Sequence, residues 1–94
     1  MLKLGVMGIT KAAACDCAPL RIHVNALCPG YTATSMTKVF LDKPEIKSRL
    51  ESMHPFRGLG EAEDLAKAAV FLASEDASWV SGIGLPVDGG YSCM

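Results

Sequence analysis

The sequence predicts an α/β fold in which two parallel strands are joined through helices. Two short apolar runs, Ile22–Leu27 and Ile83–Val87, are each bounded by turn residues, as strands are. Helical patterns fill the interval between them, so the connection is expected to be a right-handed crossover. Parallel strands are usually buried on both faces within a larger sheet. The chain is therefore expected to be the end of a bigger α/β domain.

Composition excludes several classes of function. The 94 residues allow one domain, half of them are hydrophobic and 20% are charged, which is typical of a globular protein. The net charge of −1 argues against a nucleic-acid partner or an anionic membrane surface. No apolar run approaches the roughly 20 residues that cross a bilayer, and no secretory signal is evident.

The cysteines and histidines do not form a metal or disulfide pattern. Cys15 and Cys17 lie two apart on a predicted helix, so they point to nearly opposite faces. The histidines, His23 and His54, are isolated, and no Cys/His zinc spacing occurs. Free thiols in the reducing cytoplasm, without a metal, are therefore expected.

The first helix is predicted over Lys3–Ala18, and Pro19 directly after it is expected to end it. It is apolar on several sides, and such a helix is usually covered on more than one face. Gly5 and Gly8 each cost about 1 kcal/mol relative to alanine, which is tolerated where another helix approaches closely. An oligomer interface and burial within one subunit are both compatible with this pattern.

A long excursion follows the first strand. Its helix is predicted over Glu45–Met53, with Pro44 at the first helical position. The preceding Val39, Phe40 and Leu41 are apolar without a clean period. A mobile flap over a site and a surface helical hairpin would both look like this.

The clearest helix is Glu61–Ser74, whose acidic first turn complements the helix dipole. Trp79, in the turn that follows, is expected to anchor against the sheet. Pro86 lacks a ladder N–H, which predicts that Ile83–Val87 is an edge strand.

A polar cluster follows the first strand. Pro29-Gly30 is expected to end that strand, because proline lacks a ladder N–H and glycine permits a positive φ. Ligands of open α/β sheets bind beyond the carboxyl ends of the strands. The position is compatible with a ligand site, but the spacing alone favours a plain turn in which Thr34 or Ser35 caps a helix. The cluster consists of Thr32, Thr34, Ser35 and Thr37.

Four segments follow in series along the chain: KLGVMGITKAAA, RIHVNALCPGYTAT, GLGEAEDLAKAAVFLASEDASWVSG and LPVDGGY. Together they resemble the C-terminal part of the classical short-chain dehydrogenase/reductase family. This resemblance covers essentially the whole chain and implies the C-terminal portion of a Rossmann-type three-layer α/β/α parallel sheet, with two strands and three or four helices. Residues 1–94 would then be part of an NAD(P)-binding domain.

The resemblance also implies site residues. Lys3 is similar to the lysine of the catalytic Tyr-x-x-x-Lys motif, which holds the nicotinamide ribose and lowers the pKa of the tyrosine. Pro29, Gly30, Thr32 and Thr34 resemble the segment over the nicotinamide of NAD or NADP, with Thr32 acting through its backbone and Thr34 through its hydroxyl. The implied substrate lid contains Met36, Val39 and Phe40.

Two functions are compatible with these residues. One is the C-terminal part of an oxidoreductase that acts on a small apolar secondary alcohol or ketone and forms a dimer or tetramer. The other is a non-catalytic remnant or an interaction module. The family's catalytic serine and tyrosine and its glycine-rich phosphate turn do not occur in these 94 residues. The polypeptide alone is therefore expected to be inactive.

Overall fold

The computed structural model describes residues 2–34 and 37–93, apart from the side chains of Leu2 and Lys3. Met36, expected in the lid, and Ser35, an expected cap, lie outside these ranges. Short 3-10 helices cover Ala18–Leu20, Glu75–Ala77 and Tyr91–Cys93. The helices are α1 (Leu2–Cys17), α2 (Lys38–Leu41), α3 (Pro44–Ser52) and α4 (Ala62–Ala73), and the strands are β1 (Ala26–Pro29), β2 (Thr32–Ala33), β3 (Gly60–Glu61) and β4 (Gly84–Val87).

The chain forms two compact units. One contains Met1–Cys28 and Ala68–Leu85, and the other contains Pro29–Lys67 and Pro86–Met94. Within the described ranges, no helix has the length and apolar character needed to cross a bilayer.

Strand β1 pairs with β4. In the first unit the Ala26 amide donates to the Ile83 carbonyl at 2.9 Å, and in the second the Gly30 amide donates to the Val87 carbonyl at 3.1 Å. Because donor and acceptor numbers rise together, the strands are parallel. The predicted α/β fold with parallel strands is thus confirmed, and Pro86 lies inside β4 as expected.

The first strand begins later than predicted, because side chains take part in the hydrogen bonds of Val24 and Asn25 and interrupt the regular backbone ladder there. The Val24 amide donates to Ser81 Oγ at 3.1 Å. The Asn25 carboxamide donates to the Val80 carbonyl at 3.1 Å and accepts from the Ile83 amide at 3.3 Å. Strand β1 also includes Pro29, which was expected to end it.

Helix α1 ends where Pro19 predicts. The chain leaves it through Arg21, which has a left-handed φ of 62°, and whose amide donates to the Ala18 carbonyl at 2.9 Å. The buried side of the helix carries Thr10 and Ala14, and Ile9 on another side is 72% exposed. Small side chains therefore make its close contacts within this unit.

Two local predictions have opposite outcomes. Helix α3 begins at Pro44 with Glu45 in its first turn, as predicted. The expected anchoring by Trp79 is wrong, because its side chain is 100% exposed. The small Ala77, which is fully buried, fills the interior at this turn instead.

Strands β2 and β3 were not predicted. They form a two-residue parallel pair in the second unit, with Thr32 opposite Gly60 and Ala33 opposite Glu61. Elements this short have no periodicity to detect. The pair nevertheless fixes the polar segment beyond β1.

Candidate functional site

Backbone hydrogen bonds hold the segment Gly30–Thr34 within the second unit. The Gly30 amide donates to the Val87 carbonyl at 3.1 Å, and the Tyr31 carbonyl accepts from the Gly60 amide at 3.2 Å. The Tyr31 amide donates to His54 Nε2 at 3.0 Å. Both the amide and the carbonyl of Tyr31 are therefore held by hydrogen bonds.

Thr37 fixes the far end of the same segment. Its hydroxyl donates to the Thr32 carbonyl at 2.7 Å and lies 3.1 Å from the Thr34 carbonyl. The same oxygen accepts from the Thr34 amide at 2.9 Å. One threonine side chain thus closes the turn by bonding local backbone groups.

Thr34 is half-buried, and its hydroxyl has a different environment. Within the described residues, that hydroxyl has one contact, with Thr37 Oγ1 at 3.4 Å. The expectation that Thr34 caps a helix is wrong. The N-cap position of α2 is occupied by Thr37, and no side-chain cap bond is made there. At 3.4 Å a hydroxyl pair interacts weakly, so the Thr34 hydroxyl retains the capacity to bond a ligand.

Gly30 is required for space rather than for its backbone angle. The expected positive φ at Gly30 is wrong, because its φ is not in the left-handed region. A Cβ atom at this position would lie 2.7 Å from His54 Nε2 and 2.9 Å from both Cα and Cβ of Asp88. Three parts of the chain therefore approach each other closely only because residue 30 is glycine.

His54 is the residue that sequence reasoning missed. The sequence showed an isolated histidine, but its side chain is only 2% exposed and bonds the Tyr31 amide. The signal available was weak: a histidine directly after a helix and before Pro55. Its partner, 23 residues earlier, could not be read from local spacing.

The remaining expected site residues are placed differently. Lys3 belongs to α1, and its side chain lies outside the described part of the structure. Pro29 is exposed at the end of β1. Val39 is 71% exposed, whereas Phe40 lines a largely apolar cavity of about 170 Å³. The cavity is also lined by Tyr31, Thr32, Thr37, Leu41, Ile46, Leu50 and Leu59.

A larger cleft of about 440 Å³ in the same unit carries an ion pair. Arg57 Nη2 lies 2.9 Å from Asp64 Oδ2. The same carboxylate oxygen accepts from the Glu61 amide at 2.8 Å, which closes the start of α4 in the manner of a capping box. Arg57 adopts a positive φ of 73°, a conformation that costs energy for a residue with a side chain. The ion pair holds the Arg57 side chain against the start of α4.

These bonds make the start of α4 sensitive to acid. The hydrogen bond from the Glu61 amide is the largest cause that lowers the pKa of Asp64 below its ordinary value, and the bond from the Arg57 guanidinium is the second largest. A lowered folded-state pKa adds stability above the unfolded-state value near about 4, and this stability is lost as the pH falls through the folded-state pKa. We expect Asp64→Asn to reduce the acid-induced loss of stability, measured as the urea midpoint against pH. Asp76→Asn, at an exposed aspartate, is the control; identical acid profiles for wild type and Asp64→Asn would contradict the prediction.

Known proteins resemble this chain in both sequence and fold. The family model described as enoyl-(acyl carrier protein) reductase matches residues 1–92. The 3-oxoacyl-[acyl-carrier-protein] reductase FabG of Haemophilus influenzae is 47% identical over 88 residues, which are 94% of this chain and 36% of that protein. The chain spans about a third, 32–37%, of the length of the first curated relatives it matches.

Solved structures agree with this match. A protein from Agrobacterium tumefaciens described as a 2-deoxy-D-gluconate 3-dehydrogenase, with bound NADP, has a TM-score of 0.91 and 39% identity over 98% of this chain and 37% of its own. A 4-hydroxyisoleucine dehydrogenase complexed with NADH has a TM-score of 0.92 and 25% identity over 98% of this chain and 38% of its own. Together with the family match, these likenesses show that the chain belongs to the short-chain dehydrogenase/reductase family and has its Rossmann-type α/β fold.

Proposed function

We propose that these residues are the C-terminal, nicotinamide-facing part of an NAD(P)-dependent oxidoreductase that acts on a secondary alcohol or ketone. The observation that carries this proposal is the Gly30–Thr34 segment, whose backbone is held by hydrogen bonds while the Thr34 hydroxyl makes one weak contact with the residues that the structure describes. Relatives of the same fold hold NADP or NADH. A fixed backbone with an available hydroxyl is suited to orienting a carboxamide.

The roles of the individual residues follow from this proposal. Bound nicotinamide would supply hydride acceptance or donation. Pro29, Gly30 and the Thr32 backbone would shape the surface against the ring, and the Thr34 hydroxyl would bond its carboxamide or the pyrophosphate. Lys3 is proposed as the lysine that holds the ribose hydroxyls.

The substrate class is proposed from the smaller cavity. Its lining is largely apolar, and Phe40 lies on it together with Thr32. These surroundings favour a small apolar alcohol or ketone over a charged one, because a buried charge without a partner is costly. Among the proposed lid residues, Phe40 has this structural support.

Cofactor binding tests the proposal most directly. The protein in its natural form is titrated with NAD(H) and NADP(H) by calorimetry and then assayed for hydride transfer with secondary alcohols and ketones. Saturable binding of one cofactor and turnover of an apolar substrate are expected. Binding of neither cofactor would contradict the proposal.

A related prediction concerns the 94-residue polypeptide produced by itself. Neither Tyr31 nor Tyr91 is followed by a lysine four residues later, so the polypeptide contains no Tyr-x-x-x-Lys motif. We expect no nicotinamide-dependent turnover, because the tyrosine of that motif, which would move the proton, does not occur in these 94 residues. Nicotinamide absorbance is followed with a panel of secondary alcohols, and a full-length relative serves as the positive control. Reproducible turnover above the blank would refute this prediction.

A second function is favoured by a separate observation on α1. Leu4 and Ile9 are 75% and 72% exposed, and a Cβ at Gly5 or Gly8 would meet nothing within 4 Å. Around the helix, Gly5 and Gly8 lie between Leu4 and Ile9, and an exposed apolar face with such open positions is typical of a helix that packs closely against another chain. We propose that α1 contributes to a homodimer or homotetramer, and a chain that binds no cofactor but assembles through α1 would be an interaction module.

A further inference from the structure

We propose that His54 is a positioning residue, which holds the Tyr31 amide and thereby orders the Gly30–Thr34 segment for the nicotinamide. This inference rests on the proposed cofactor role of that segment. His54 itself would touch neither cofactor nor substrate. It would act through the backbone of Tyr31.

The two ring nitrogens of His54 have distinct partners. Nε2 lies 3.0 Å from the Tyr31 amide nitrogen, and Nδ1 lies 2.7 Å from the Leu50 carbonyl oxygen. A backbone N–H only donates and a carbonyl only accepts, so Nε2 must accept and Nδ1 must carry the proton. Both bonds are made only by the neutral ring in this one tautomer.

The ring is enclosed, so it cannot turn to other partners without repacking. It is 2% exposed, and its centroid lies 5.9 Å from that of Tyr31 and 5.3 Å from that of Tyr91. Gly30 presents no side chain toward Nε2. Close packing therefore fixes the ring in the orientation that its hydrogen bonds require.

The backbone of His54 is also anchored. Its amide donates to the Glu51 carbonyl at 3.1 Å, and its carbonyl accepts from the Gly58 amide at 3.1 Å. The Phe56 amide donates to the Gly89 carbonyl at 2.8 Å. His54 thus projects from a hydrogen-bonded turn at the end of α3, and this turn anchors the acceptor of the Tyr31 amide.

Loss of the bond from Nε2 would have a local effect with a functional consequence. The Tyr31 amide would lose its acceptor, and an unsatisfied amide favours rearrangement of the backbone. Thr32 and Thr34, the proposed cofactor contacts, follow within three residues. A cofactor that binds this segment would then have to order it, which weakens its affinity.

Two conservative substitutions separate the bonds. In His54→Gln the amide oxygen reaches the position of Nε2 and can accept from Tyr31, while the bond to Leu50 is lost. In His54→Asn the shorter amide can donate to Leu50, while the bond to Tyr31 is lost. His23→Asn, at an exposed histidine, is the matched control. All three variants are made in the protein in its natural form.

We expect His54→Asn to weaken NAD(P) binding on the order of tenfold, while His54→Gln and His23→Asn stay within about threefold of wild type. Unfolding temperatures of the two His54 variants are measured alongside, because each loses one hydrogen bond and a purely structural role would affect both variants similarly. Equal cofactor affinity for His54→Gln and His54→Asn would overturn the proposal.

Nuclear magnetic resonance supplies a readout that needs no cofactor and no variant. The ¹⁵N signals of His54 in wild type are expected to show an unprotonated Nε2 and a protonated Nδ1, and the Tyr31 amide is expected to exchange slowly with solvent. If the natural protein binds neither nicotinamide, the proposed function fails, whereas slow exchange would still support the hold on Tyr31. A protonated Nε2 or a rapidly exchanging Tyr31 amide would overturn the positioning role by itself.

Discussion

Gly30→Ala is expected to lower the free energy of unfolding by about 1–3 kcal/mol, the usual cost of forcing extra volume into a packed site. The added methyl group would lie 2.9 Å from the Cα of Asp88, a backbone atom, and 2.7 Å from the buried ring of His54. Neither neighbour can move without disturbing hydrogen bonds. The His54 ring bonds Tyr31 and Leu50, and the Asp88 carboxylate accepts from the Gly90 and Ser92 amides. The strain therefore cannot be relieved locally.

Gly84→Ala is the matched control for this prediction. A Cβ at Gly84 would meet the sulfur of Met7, which is near the end of a flexible side chain. Because methionine has several rotatable bonds, it can move aside at small cost. Urea unfolding of both variants in the natural protein measures the difference in their free energies of unfolding. A Gly30→Ala variant as stable as Gly84→Ala would show that the second unit rearranges to accommodate the methyl group, which would contradict the prediction.

Thr34→Val is expected to weaken NAD(P) binding by about 1–3 kcal/mol, the cost of leaving a buried polar partner unpaired. Valine keeps the β-branched shape and removes the hydroxyl that has one weak contact within the described chain. The loss should therefore be one of affinity, with little change in stability. Calorimetric titration with both nicotinamide cofactors measures it.

Two controls make the Thr34 result specific. Thr34→Ser keeps the hydroxyl and should bind cofactor nearly as well as wild type. Thr10→Val removes a buried hydroxyl that donates to the Val6 carbonyl at 2.6 Å, so it tests the general effect of this substitution on stability. Equal cofactor affinity for Thr34→Val and wild type would mean that Thr34 makes no bond to the cofactor.

The sequence by itself determined the family, the fold class and the bounds of the main helices to within one or two residues. Pro19 ended α1 and Pro44 began α3 as predicted, since proline acts on its own backbone and its neighbours. The acidic first turn of α4 was equally local. Motifs that lie in series along the chain were likewise visible without any contact being known.

Only the tertiary structure decided which residues surround the Gly30–Thr34 segment. His54 and Asp88 reach Gly30 from 24 and 58 positions away, and Asn25 replaces ladder bonds with its side chain rather than continuing the predicted strand. The pair β2–β3 and the fully exposed Trp79 were beyond prediction for the same reason. Local periodicity reports which face of an element is apolar, whereas burial and hydrogen-bond partners depend on segments that folding brings together from distant parts of the chain.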